Sequence, residues 1–323
     1  MRLTIALYES LVMKQRTATM HPRAAWTLIE LIATVCILSL MIGLSLCGVQ
    51  RVRNQACVLQ CQNQLRQLGL ATQNYHASHG ILPKGISFPS NLSLPSTDCC
   101  PGISVHTQLL GFLEQDVLGR RAYEAHILDP YGMNEEHRRI AAIPLKSFRC
   151  PADSRIHGRF PSKMEYLNTD IGWALNNYPA VAGTHLNNSN GVFGIDRTFR
   201  LTDVKDGTSS TLLFGERPTG PNGFGSSWYA NWGVLLATDG QLLEVSVRRA
   251  NQATSYAPCN LNLGVYQRGK YDDACYQGSF WSLHNQGSNF LFCDGHVKFL
   301  TYSAVKILPM LATRNGREAV NLE

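Results

Sequence analysis

The stretch WTLIELIATVCILSLMIGLSLCGV, Trp26–Val49, constrains this chain more than any other. It is apolar throughout except for small polar residues and one charge, Glu30. At a rise of about 1.5 Å per residue, a helix of that length crosses a hydrocarbon core of roughly 30 Å. A carboxylate in hydrocarbon costs on the order of 3 kcal/mol at mid-bilayer, so Glu30 is expected to have a partner. Residues 1–25 carry Arg2, Lys14, Arg16 and Arg23 against one acid, Glu9. The positive-inside rule holds such a flank in the cytoplasm and places everything after Val49 outside.

A secretory signal peptide has a shorter apolar core followed by an A-x-A-like site, which this segment lacks. A plain anchor has no use for Glu30. The basic leader ends in the small residue Ala25, followed by Trp26-Thr27-Leu28-Ile29-Glu30 and the apolar helix. This order resembles the class III signal of type IV prepilins and type II secretion pseudopilins. The resemblance implies that prepilin peptidase cuts between Ala25 and Trp26 and that the new Trp26 amine is N-methylated. It also implies that Glu30 serves assembly, its carboxylate meeting the Trp26 ammonium of a neighbouring subunit, since pairing removes much of the cost of burying a charge. Ala25 stands where that family usually has Gly, and Trp26 where it usually has Phe.

The helix is expected to continue past the membrane. Cys61, Leu65, Leu68, Thr72 and Tyr75 step by helical spacings along one face, while Gln60, Gln62, Gln64, Arg66 and Gln67 occupy much of the remaining surface. Gly80 suits the stop, and the first proline after the anchor is Pro83. The expected organisation is a leader over 1–25, a transmembrane helix over 26–49, an amphipathic helix over 50–80 and a globular outer domain over 81–323. The chain is then single-pass in the inner membrane, with its N-terminus cytoplasmic and its outer domain extracytoplasmic.

Composition sets outer limits on partners and cross-links. Of 323 residues, 44% are hydrophobic and 16% charged, enough to bury a real core. The net charge is +6, of which the leader's four bases and one acid contribute +3. The remainder is too small and too dispersed to argue for nucleic acid. Ten cysteines are present. Cys36 and Cys47 fall in the apolar helix as packing residues. Cys57, Cys61, Cys99, Cys100, Cys150, Cys259, Cys275 and Cys293 would lie where disulfides persist, with their connectivity open. No pair has the double C-x-x-C spacing of a zinc site.

Four stretches carry a more specific resemblance. They are CQNQLRQLGLATQNYHASHGILPKG (Cys61–Gly85), Phe148-Arg149-Cys150-Pro151-Ala152-Asp153, the run from Gly191 through Leu201 and Asp206-Gly207 to Arg217, and His284–Gly295. In order, they resemble the segment after the anchor, the Cys-Pro-x-Asp turn, the central signature and the H-x9-D-G motif of a large group of bacterial pseudopilin-like proteins of unknown function. The resemblance implies structural roles for Cys150, Asp153, Asp206, Gly207, His284, Asp294 and Gly295, and no cofactor.

The outer domain reads as loop-rich between Gly85 and His185, with short helices at Gln108–Glu114 and Glu135–Ile143. Beyond Asn190 it reads as short strands and turns: Leu201–Asp206 ending at Asp206-Gly207, then Thr211–Gly215, then Trp228–Leu236. A hairpin is expected from Asn289–Cys293 and His296–Thr301 across Asp294-Gly295 as a type I′ turn, with Phe290 and Phe292 on one face. The fold class is α+β, a long N-terminal helix packed on a mainly antiparallel β domain in the manner of pilins.

Candidate chemistry is sparse. Cys293, His284 and Asp294 are the residue types of a thiol hydrolase, but Cys293 reads as a packed or disulfide-bonded residue and Asp294 as part of a turn. Asp153, Asp203, Asp206, Asp294 and Glu216 offer hard oxygen ligands without the D-x-D-x-D-G spacing of a calcium loop. No G-x-S-x-G, H-E-x-x-H or phosphate-cradling glycine loop is present. The expected function is therefore a structural pilin-like or pseudopilin-like subunit and not an enzyme, with no metal and no cofactor. Its partners are prepilin peptidase, other pilin-like subunits and membrane lipid. The alternative keeps the anchor and makes the outer domain a binding module for a glycan or other solute, with Trp228, Tyr229 and Trp232 as stacking platforms.

Overall fold

The computed structural model describes residues 27–88, 102–130, 134–157, 160–164, 169–185, 190–219, 227–229, 235–236, 238, 266–273, 276, 278–318 and 320. The leader, Ala25, Trp26, Cys99, Cys100, Trp232, Cys259, Cys275 and the side chain of Cys47 lie outside them. The chain divides into two units, 1–52 and 53–323.

Helix α1 spans Leu28–His79. Thr27 caps it: its backbone N–H and hydroxyl each donate to Glu30 Oε2 at 2.9 Å, and Glu30 N–H donates back to Thr27 Oγ1 at 3.4 Å. This reciprocal pair is a capping box, which satisfies donors that a helix start leaves open. Within the first unit the apolar side chains of α1 from Leu28 to Val52 are exposed, and the helix is long and apolar enough to cross a membrane. Within the second unit Cys61, Leu65, Leu68, Ala71 and Thr72 are fully buried on one face. Gly80 ends the helix as the spacing predicts, at φ +71° with its N–H on His76 O at 2.8 Å. Gln64 departs from expectation. It is buried, because Tyr178 Oη donates to its Oε1 at 2.6 Å and its Nε2 donates to Lys146 O at 2.9 Å.

The second unit continues with strands β1 (Ile86–Ser87) and β2 (Ile103–Ser104) and helices α2 (Val105–Gln108), α3 (Asp116–Leu128) and α4 (Glu135–Ala141). Helix α3 was not expected; Gly119 and a charged surface hide the apolar face formed by Leu118, Ala122 and Ala125. Strands β3 (Phe160–Met164) and β4 (Thr169–Trp173) form an antiparallel pair. The main sheet contains β5 (Ala180–Val181), β6 (Leu212–Gly215), β7 (Leu235–Leu236), β8 (Gly287–Phe292) and β9 (Val297–Thr301) in the order β7-β5-β6-β8-β9. All its pairings are antiparallel except β5 with β7. The fold is α+β, as expected.

Strands β5, β6 and β8 are buried on both faces, and side-chain alternation sorts their residues. Ala180, Phe214 and Leu291 join α1, Phe148, Phe193 and Trp228 in one core. Val181, Leu212, Phe290 and Phe292 join Leu308 and Leu311, of helix α5 (Leu308–Leu311), in a second. A register shift between Leu212 and Phe214 turns both Leu213 and Phe214 toward the first core.

Two local readings are corrected. Leu201–Asp206 is not a strand: it opens with a 3₁₀ turn at Leu201–Asp203, where Asp203 Oδ2 accepts the Arg200 N–H at 2.7 Å. The β8–β9 connection is not a type I′ turn. Among its residues Gly295 alone takes a positive φ, +93°, while Gly295 N–H bonds Phe292 O and Phe292 N–H bonds His296 O, both at 3.0 Å. That is the three-residue loop with a bulge at glycine. Asp294 sets it by accepting from His296 N at 3.0 Å, so the aspartate need not enter the left-handed region.

Two buried histidines make this fold acid-sensitive. Burial pushes His106 down to about 4, against the raising effect of its bond to Tyr178 O. Burial does the same to His126, also to about 4, against its bond to Ala122 O. Below its ordinary value of about 6.5 the unfolded imidazole binds a proton that the folded one does not accept until about pH 4. The contribution of these two histidines is therefore fully present above pH 6.5, falls as pH drops toward 4, and levels off below. Each histidine contributes a loss of about 2–3 kcal/mol between pH 7.5 and 4.5. Urea denaturation across that range should show a shallower decline for His106→Asn than for wild type, and equal slopes would refute the assignment.

Candidate functional site

The best-defined cluster of reactive side chains lies where α1 meets the first core. Cys61 is on the buried face of α1. Cys150 opens the Cys-Pro-x-Asp turn, in which Asp153 N–H donates to Cys150 O at 3.0 Å with Pro151 at the second position, where its fixed φ suits a turn. Asn177 holds that turn in place: its Oδ1 accepts Cys150 N–H at 2.8 Å and its own N–H donates to Phe148 O at 2.8 Å. Glu216 follows directly on β6, and His284 precedes β8, its N–H on Ser282 Oγ at 3.0 Å.

These four residues are all buried, and their donor atoms lie within 4.8 Å of one another. Cys61 Sγ is 2.7 Å from Cys150 Sγ. His284 Nε2 is 3.8 Å from Cys150 Sγ and 3.5 Å from Glu216 Oε1. Asn289 steadies the carboxylate, donating from its backbone N–H to Oε2 at 2.8 Å and from Nδ2 to Oε1 at 3.0 Å. Gln62 of α1 in turn donates to Asn289 Oδ1 at 3.0 Å. A cavity of about 10 Å³, lined by Cys150, Asp153, Asn177, Glu216 and Arg217 among others, adjoins the cluster. It has room for about one water molecule.

Electrostatics follow from this packing. Burial alone would lower His284, but its bond to Cys150 and the Glu216 carboxylate outweigh that and hold it at about 10. The hydrogen bond from Cys61 draws Cys150 below the usual thiol value, and burial pushes Cys61 up. His284 uses one nitrogen, Nε2, toward both the thiol and the carboxylate. A relay triad needs the acid on the opposite ring nitrogen, so this is a convergence of donors on one point and not a Cys-His-acid relay.

The remaining motif residues do different work. Asp153 is buried and accepts Arg155 Nε and Nη2, both at 2.9 Å, while Arg155 Nη2 also donates to Thr219 O at 2.7 Å. Asp206 gathers the C-terminal segment, accepting Gly316 N–H at 2.6 Å, Arg317 N–H at 2.7 Å and Thr313 Oγ1 at 3.1 Å. Gly207 follows it at φ +97°. Asp294 and Gly295 build the β8–β9 loop. Cys293 in that loop is buried, and burial with the nearby Asp294 charge pushes its thiol up, which suits a packed residue. Glu30 stands in the first turn of α1, engaged in the capping box. Trp228 and Tyr229 are core residues: Trp228 Nε1 donates to Ile143 O at 3.0 Å, and Tyr229 Oη bonds His137 Nδ1 at 2.7 Å. They therefore provide no stacking platform.

Residues 50–305 match the family described as protein of unknown function, DUF1559. The chain belongs to this family. Cys61, Cys150, Glu216 and His284 all fall inside the matched DUF1559 region, whereas Glu30 and the segment before it do not. No curated protein and no solved structure matches the chain.

The motifs place Cys150 and His284 among family residues without connecting them, and put Cys61 on one face of the helix. Glu216 reads there as one of the scattered acids and as part of the central signature. The available signal is that each of the four motif stretches supplies one of these residues with metal-ligand chemistry: Cys61 opens the first, Cys150 lies within the second, Glu216 is next to last in the third and His284 opens the fourth.

Glu216 is the group this cluster can least spare. Glu216→Ala leaves the Asn289 donors and the His284 imidazolium unpaired in the core, at a cost of about 3–5 kcal/mol. Glu216→Gln retains an acceptor for the Asn289 N–H and should lose distinctly less. Urea midpoints of the two variants check this, and equal losses would show that the charge and its hydrogen bonds carry no weight.

Proposed function

We propose that this DUF1559 protein is a pilin-like or pseudopilin-like structural subunit, held in the membrane and assembled through α1, and not an enzyme. The observation that carries this reading is the single helix Leu28–His79, whose first part presents apolar side chains outward while its second part is buried in the outer unit. A helix apolar all round needs lipid or other helices for cover. An amphipathic extension ties that segment to a folded domain.

The Ala25-Trp26 junction and Glu30 supply the rest of the proposal. Prepilin peptidase cuts between Ala25 and Trp26 on the cytoplasmic side, and Trp26 is methylated. The mature chain stays in the inner membrane with its outer unit extracytoplasmic. Other pilin-like subunits are its partners. The Glu30 carboxylate lies in the first turn of the helix, close in sequence to the amine that cleavage would create. Charge pairing with a neighbour's Trp26 is worth most in a low-dielectric setting.

N-terminal sequencing of the membrane-extracted protein tests the processing step. The mature chain is expected to begin at Trp26, and a chain still beginning at Met1 beside an active prepilin peptidase would exclude the proposal.

The capping box allows a sharper test of Glu30. Glu30→Leu removes both charge and cap, while Glu30→Gln removes the charge and keeps the cap, since Gln serves in a capping box. Both variants should insert and be cleaved normally. Both should lose most crosslinking to wild-type subunits in membranes if the charge pairs between chains. Restoration of crosslinking by Glu30→Gln would make Glu30 a helix cap alone.

A further inference from the structure

Three donors with negative charge available to them, two thiols and a carboxylate, converge with one imidazole in a buried site beside a cavity of about 10 Å³. Sulfur, nitrogen and oxygen in that proportion are ligand types that zinc accepts. A regular zinc tetrahedron, with Zn–S about 2.3 Å and Zn–N or Zn–O about 2.0–2.1 Å, has a sulfur–nitrogen edge of about 3.5 Å and a nitrogen–oxygen edge of about 3.3 Å. The edges at His284 Nε2 are 3.8 Å to Cys150 Sγ and 3.5 Å to Glu216 Oε1. Both lie within about 0.3 Å of those values.

The sulfur–sulfur edge differs, 2.7 Å against about 3.8 Å in the tetrahedron. Unbonded sulfurs do not rest that close, so Cys61 and Cys150 either bond to each other or part around something. A disulfide uses two of the four donors and leaves Glu216 and His284 as an ion pair beside it. A cation uses all four.

We propose that Cys61, Cys150, Glu216 and His284 form a closed, four-coordinate structural site for a divalent cation of the zinc class. The surrounding bonds hold the ligands as second partners hold metal ligands elsewhere. Asn289 orients the Glu216 carboxylate and Asn177 fixes the Cys150 turn. Because all four positions are taken by protein, the site has no open place for substrate, and its role is to join α1, the Cys-Pro turn, the end of β6 and the segment before β8. Binding releases the thiol and imidazolium protons to solvent and leaves the sulfurs reduced, with no change of oxidation state.

The test uses the full chain in detergent, extracted anaerobically with exposed thiols blocked. Elemental analysis should find about one zinc per chain. After removal of metal under reducing conditions, Co²⁺ should restore the visible absorption of tetrahedral cobalt together with a thiolate-to-cobalt charge-transfer band. Cys150→Ser should abolish that band, and Glu216→Gln and His284→Gln should each weaken cobalt affinity at least tenfold. In the wild-type chain, which needs no variant to fold, zinc sulfate should slow alkylation of Cys61 and Cys150 at least tenfold. A Cys61–Cys150 disulfide in the chain as extracted would overturn the proposal in favour of a cross-link. So would alkylation unaffected by zinc, or a cobalt spectrum unchanged by Cys150→Ser.

Discussion

A helix with an apolar stripe has to be covered, and nearly every feature of the outer unit follows from how α1 is covered. Cys61, Leu65, Leu68 and Ala71 lose all contact with solvent. Burying a leucine side chain contributes about 1.5–3 kcal/mol, so a stripe of this kind drives the packing. The covering surface is one face of the main sheet, Phe214 and Leu291, together with Phe148, Phe193 and Trp228 from the loops before and after it. Apolar packing supplies cohesion without direction. Direction comes from glutamines on the same helix: Gln62 reaches Asn289, Gln64 reaches Tyr178 and Lys146, and Gln73 donates to the Cys293 carbonyl. Each of these bonds fixes the helix against a different part of the chain.

Buried charge imposes the second constraint. A carboxylate taken out of water is tolerated only when its lone pairs are met. Glu216 meets this with Asn289 and His284, and Asp153 meets it with Arg155 and Asn177. Both acids belong to motif stretches, and both sit beside the Cys150 turn. The same geometry that satisfies Glu216 brings Cys61 and Cys150 together, so the candidate site and the covering of α1 are one arrangement. Neither could be altered without disturbing the other.

Much of the architecture is legible in the residues. The exposed apolar run and buried stripe of α1, its end at Gly80, the β6 run and the β8–β9 hairpin all follow from hydropathy and turn chemistry acting over a few residues. The misses have a common form. Helix α3 carries a narrow apolar face that Gly119 and its charges obscure. The β8–β9 turn type depended on whether Asp294 or only Gly295 would enter the left-handed region, and the Asp294 bond to His296 decided it. Gln64 reads as a surface residue until Tyr178 is placed beside it. Trp228 and Tyr229 read first as core or sheet residues and, in the alternative, as a platform, and their hydrogen-bond partners, Ile143 and His137, place them in the core.

The sequence by itself determined where a membrane-competent helix begins, which of its faces seeks cover, and where the chain turns back in its final hairpin. These are properties of neighbouring residues, set by a period of 3.6 or 2 and by the φ preferences of glycine and aspartate. Only the tertiary structure decided that Cys61, Cys150, Glu216 and His284 share one buried point. Cys61 and Cys150 are 89 residues apart in the chain, and Cys150 and His284 134. No local periodicity relates positions so distant. They meet because the sheet that must cover α1 carries Glu216 at the end of one strand and His284 before another, and delivers both to the helix face where Cys61 already lies.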